Sequence, residues 1–101
     1  MENSQNNASN AETENFKFIL FISGMSTKSS HAIENLRKIS EKYLSKFDLQ
    51  IIDIRTQQQK AVEYQIVAVP TLIKLMPNPT RTIVGDLSDT EKVLKILDIS
   101  E

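Results

Sequence analysis

The sequence predicts a single α/β domain in which helices cover both faces of a small mixed sheet. Three observations carry that expectation. Residues 16–22 begin by alternating and become continuously apolar, as a strand buried on both faces does. An amphipathic helical pattern follows them directly. A later apolar run opens with proline, turns at Pro77-Asn78-Pro79 and returns as a hairpin.

Each element has its own signal. Ser23-Gly24 stops the first strand, and the hydroxyls of Ser26, Thr27, Ser29 and Ser30 can accept hydrogen bonds from the first amides of a helix. In that helix Ile33, Leu36, Ile39, Tyr43, Leu44 and Phe47 recur at three- and four-residue spacing, opposite a charged face. Residues 49–54 form a second strand, parallel to the first through a right-handed crossover. Residues 55–64 read as a short, polar, Gln-rich helix with Ala61 and Val62 as weak anchors. Residues 69–76 form the third strand, with Pro70 near its head, where a missing amide is tolerated. Residues 81–84 return antiparallel to it, and Gly85-Asp86 end them. Ser88 and Glu91 stand at capping-box spacing before Val93, Leu94 and Leu97, announcing the last helix.

The resulting order, β-α-β-α-β-β-α with a mixed sheet, is thioredoxin-like. Pro70, preceded by Val69, sits where that fold usually keeps a cis-proline.

Composition narrows function mainly by subtraction. With no cysteine in 101 residues there is no thiol catalysis, disulfide, zinc–thiolate site or iron–sulfur cluster. No apolar run approaches the roughly 20 residues of a membrane span, and the formal charge of −1 argues against nucleic acid as the main partner. Residues 1–15 carry Glu2, Glu12 and Glu14, no base and no apolar cluster, and read as a disordered acidic tail. They lack the basic start and apolar stretch of a signal peptide and the arginines of a mitochondrial presequence, so a cytoplasmic protein is expected. The folded domain is then residues 16–101, which hold all 12 bases and 10 of the 13 acids and are mildly basic.

Few residues remain to build chemistry. Where redox relatives of this fold carry Cys-x-x-Cys, the chain reads Met25-Ser26-Thr27-Lys28, so dithiol exchange is impossible. Ser26 or Thr27 could stand where glutathione transferases place a hydroxyl; the plainer role is to cap the helix. His31, the sole histidine, has no second imidazole or thiol with which to hold zinc and no nucleophile to activate. Asp53 ends an apolar strand and is expected to cap the next helix or pair with a neighbouring cation. Gly24 and Gly85 are isolated, so no phosphate-cradling loop exists. No cofactor or metal is expected. Lys74 and Arg81 fall close together across the hairpin, on whichever face looks outward; they serve either as edge-strand protection or as part of a cationic surface for an acidic protein partner.

The ordered set Ala68-Val69-Pro70-Thr71-Leu72-Ile73-Lys74, Pro77-x-Pro79, Arg81, Ile83-Val84-Gly85-Asp86-Leu87-Ser88 and Glu91-Lys92-Val93-Leu94 closely resembles the KaiB family of clock proteins. Leu20-Phe21-Ile22-Ser23-Gly24 and Ile52-Asp53-Ile54 fit the same pattern, and the likeness runs from Phe16 to Asp98. The resemblance implies a non-enzymatic protein that binds a ring-shaped KaiC-like ATPase, in a circadian or stress-adaptation system. It competes there with or recruits other partners, a histidine kinase among them. It implies Lys74 and Arg81 as partner-binding residues. A third basic position, usually arginine, is His31 here, which makes that contact absent or pH-dependent. It also implies a metamorphic chain: one state is thioredoxin-like, and in the other the C-terminal half repacks into dimers or tetramers, with Gly85, Asp86, Ile96 and Asp98 in the switching region. Relatives often place a glycine after Val93-Leu94. Ile96 in the corresponding stretch favours the last helix, since glycine costs a helix roughly 1 kcal/mol relative to alanine and isoleucine less. The alternatives to a ring-binding module are a thiol-independent, glutathione-type small-molecule binder using Ser26, and a stand-alone sensor domain.

Overall fold

A computed structural model describes residues 15–99. Along the chain run β1 (Asn15–Ile22), α1 (Thr27–Tyr43), β2 (Lys46–Asp53), α2 (Gln58–Glu63), β3 (Thr71–Met76), β4 (Arg81–Val84) and α3 (Thr90–Ile96). The strands form one sheet in the order β2-β1-β3-β4. The β1–β2 pair is parallel, and β3 is antiparallel to both β1 and β4. The expected thioredoxin-like order is therefore the observed one.

The central place of β1 explains its continuous apolar run. Its even residues Phe16, Phe18, Leu20 and Ile22 join Ala32, Leu36 and Ile39 of α1 and Val93 and Leu94 of α3 in the larger core. Its odd residues Ile19 and Phe21 join Ile52 and Ile73 in a smaller core on the other face, flanked by Tyr64, Ile66 and Val69 around α2. Period-two alternation thus supplies both layers from one strand.

Several boundaries differ from the sequence reading, each for a local reason. Asn15, assigned to the acidic tail, already pairs with Lys46, and its side-chain amide donates to Asp48 Oδ2 at 3.1 Å; the rest of that segment lies outside the described residues. Phe47 continues the helical spacing of α1 yet belongs to β2. Leu44 closes the helix in extended backbone (φ −118°, ψ 136°), and pairing with β1 recruits residues from Lys46 onward. α2 is shorter than expected, because Thr56 and Gln57 donate their amides to Asp53 O in a turn first. β3 starts at Thr71, after Pro70, whose carbonyl accepts from Gly85 N at 2.9 Å. The cap of α3 is Asp89, which accepts from Lys92 N, rather than Ser88. The Val69–Pro70 bond is cis, as are Met76–Pro77 and Asn78–Pro79.

α3 ends in a Schellman closure. Asp98 has φ +59°, its amide donates to Lys95 O at 3.2 Å, and Ile99 N donates to Leu94 O at 2.9 Å. Ile99 is buried in the same core as Leu94, supplying the apolar contact that accompanies the motif. A glycine would suit that backbone better, but only a side chain can reach Lys74 and Arg81 on the sheet face beneath α3.

Candidate functional site

The hairpin brings Lys74 and Arg81 into direct register. Both belong to the sheet face that packs against α1 and α3, and that position corrects the expectation of two outward cations. Lys74 is only 1% exposed, since α3 and the turn after it cover this part of the sheet. Its ammonium donates to Leu97 O at 3.1 Å, lies 3.8 Å from Asp98 Oδ2 and stands 5.9 Å from the centroid of the Phe16 ring. Arg81, nearer the edge, is 45% exposed and donates from Nε to the same Asp98 Oδ2 at 3.1 Å. One carboxylate from the helix terminus therefore joins an interior lysine and a surface arginine. Asp98, expected only as part of a switching segment, is the centre of this cluster.

His31 is elsewhere. It is exposed on the first turns of α1, and Asn35, one turn on, donates to the carbonyl of Asp86 at 2.8 Å. Asp86 follows β4, at the opposite end of that strand from Arg81. Its carboxyl group is held below the usual range, first by hydrogen bonds from Ser88 and then by the charges of His31 and Lys28. The three partner-binding residues named by resemblance thus form one close pair and one separate residue.

At the C-terminal ends of β1 and β2, Asp53 gathers donors. It accepts from Gly24 N at 3.2 Å, Arg55 N at 2.9 Å and the Arg55 guanidinium at 3.0 Å. Arg55's side chain, then its amide, then Gly24 lower the Asp53 pKa to about 2. Glycine suits this position: its φ is +63°, and a Cβ would stand 2.8 Å from Arg55 Cζ, so the guanidinium would have to shift. Asp53 is thus paired with a neighbouring cation, and Arg55 is the partner that sequence reasoning did not name. Ser26, in the place of a thioredoxin thiol, caps α1 by accepting from Ser29 N at 3.2 Å. Among the described residues no group of three His, Cys, Asp or Glu side chains could hold a metal ion, and no helix is long and apolar enough to cross a membrane.

Residues 19–99 match the family model for the KaiB domain. The chain is 46% identical over 81 residues to the circadian clock protein KaiB3 of Synechocystis sp. (strain ATCC 27184 / PCC 6803 / Kazusa), covering 79% of each. It is 44% identical to the circadian clock oscillator protein KaiB of Synechococcus sp. (strain RCC307), covering 79% of this chain and 74% of that one. Among solved structures it is similar to the N-terminal domain of Synechococcus elongatus SasA, with a TM-score of 0.69 at 24% identity over 83% of this chain and 84% of that one. Mitochondrial thioredoxin 3 from Saccharomyces cerevisiae gives a TM-score of 0.67 at 19% identity, covering 93% and 89%. At these identities the two structures speak for the fold alone.

Proposed function

The chain belongs to the KaiB family, and from that premise we propose that it is a non-enzymatic, cytoplasmic regulatory protein that binds a KaiC-like ATPase ring in a circadian-type or stress-adaptation system. The observation that carries this reading is the reach of the likeness. It begins within β1 and ends just after α3, so it takes in nearly the whole described fold rather than one motif. Relatives at that level are clock proteins by name. The site chemistry supports a binding role: the chain has no thiol, the hydroxyl in the thiol's place caps a helix, and Asp53 is neutralised by Arg55. Self-association into dimers or tetramers and a histidine-kinase partner belong to the same proposal.

The hairpin face offers one accessible cation, Arg81, for an acidic group of the ring. Arg81→Glu is therefore the diagnostic variant. Lys74→Glu is not, because it would place an acid in the core and fail by misfolding. The ATPase of the same organism should retain the wild-type chain on size-exclusion chromatography with nucleotide present. Arg81→Glu should lose that retention while its circular dichroism stays unchanged. Absence of wild-type retention with and without nucleotide would reject the proposal.

A further inference from the structure

Resting on that reading of the hairpin face, we infer that Lys74 is a positioning residue for Arg81, acting through Asp98 rather than touching the partner. The ammonium is inside the protein, under the end of α3. An acidic group of a partner has no direct access to a side chain that is 1% exposed. What Lys74 does hold is the chain at Leu97 and Asp98: the carbonyl of one and, more loosely, the carboxylate of the next. The Schellman closure fixes the backbone of Asp98 from the helix side. Lys74 fixes it from the sheet side, and the carboxylate is then delivered to Arg81 Nε at 3.1 Å.

That contact orients Arg81. A guanidinium tethered through Nε keeps its two terminal nitrogens together as a planar fork, the geometry that suits a carboxylate in bidentate contact. Without Lys74, the exposed Arg81–Asp98 pair would rest on its own, and such pairs contribute little. The partner's matching group is accordingly a carboxylate addressed to Arg81 rather than to the buried Lys74.

The test has two arms. In the free 101-residue chain, NMR should show Arg81 Hε as a resolved, slowly exchanging signal. Lys74→Met should move it towards the position of an unpaired guanidinium and speed its exchange. An unmoved signal would overturn the inference. In the second arm, binding to the KaiC-like ATPase is measured as a double-mutant cycle. Lys74→Met and Arg81→Ala should each weaken binding about tenfold, and the double substitution should be no weaker than Arg81→Ala alone. A combined loss of about a hundredfold would mean that the partner contacts Lys74 independently, and would overturn it too. If Lys74→Met loses the dispersed wild-type spectrum, Lys74→Arg replaces it: retained Hε signal and binding support the inference, whereas lost binding with an intact Hε signal overturns it. If the wild type does not bind the ring, the proposed function falls, and the NMR arm decides the role of Lys74 by itself.

Discussion

Lys74 and Leu97 are separated by 23 positions in the chain and joined by a 3.1 Å hydrogen bond from ammonium to carbonyl. The contact ties the middle of the sheet to the end of the last helix. A lysine is rarely buried without such partners, because an ammonium taken from water needs charged or strongly polar neighbours. Here the negative end of a helix, an aspartate and the face of Phe16 supply them.

Replacing that lysine should separate its charge from its bulk. Lys74→Met keeps most of the volume but leaves the Leu97 carbonyl without this donor, and should lower stability by about 1–3 kcal/mol. Lys74→Ala opens a cavity as well and should be the weaker of the two. Urea unfolding of the variants, read at equal slope, checks the order.

The Asp53 site makes stability depend on acid. Its folded pKa of about 2 lies below the ordinary carboxylate value near 4, so the folded state binds this proton less readily than the unfolded state. The contribution is present above about pH 4 and is lost as pH falls towards about 2. Asp53→Asn should flatten that part of the profile, as followed by the urea midpoint between those values.

Gly24→Ala should disturb the same junction from the other side. The residue lies at φ +63°, where a Cβ is strained by about 1–2 kcal/mol. The added methyl would also meet Arg55 Cζ at 2.8 Å, so the guanidinium must swing away from Asp53. The expected result is reduced stability together with an Asp53 pKa raised towards normal, read by NMR titration.

Ile96→Gly tests the hold of the last helix. Ile96 is partly buried against the larger core and ends α3, which is only 7 residues long. Glycine removes that packing and adds a propensity penalty, so a loss of about 1–3 kcal/mol is expected. Amide exchange should accelerate in α3 more than in β1 if the substitution loosens the C-terminal half selectively.

Much of the architecture was legible because it depends on period and punctuation. The double-sided apolar run of β1 marked a central strand, and the hydroxyls before α1 marked its start, with Ser26 as the cap. The hairpin register of Lys74 and Arg81 followed from the turn between them. Boundaries were less legible. Phe47 satisfies the helical repeat and the strand equally well, and only pairing with β1 decides between them.

The sequence by itself determined the order of elements, the absence of thiol chemistry and the presence of two cations facing each other across a hairpin. Tertiary structure alone decided that one of those cations is interior and the other exposed. The choice depends on where α3 lands, and a helix placed by its apolar stripe carries its C-terminal carbonyl and Asp98 to a location that no local pattern encodes. Alternation tells which face a side chain takes; only packing tells what covers that face.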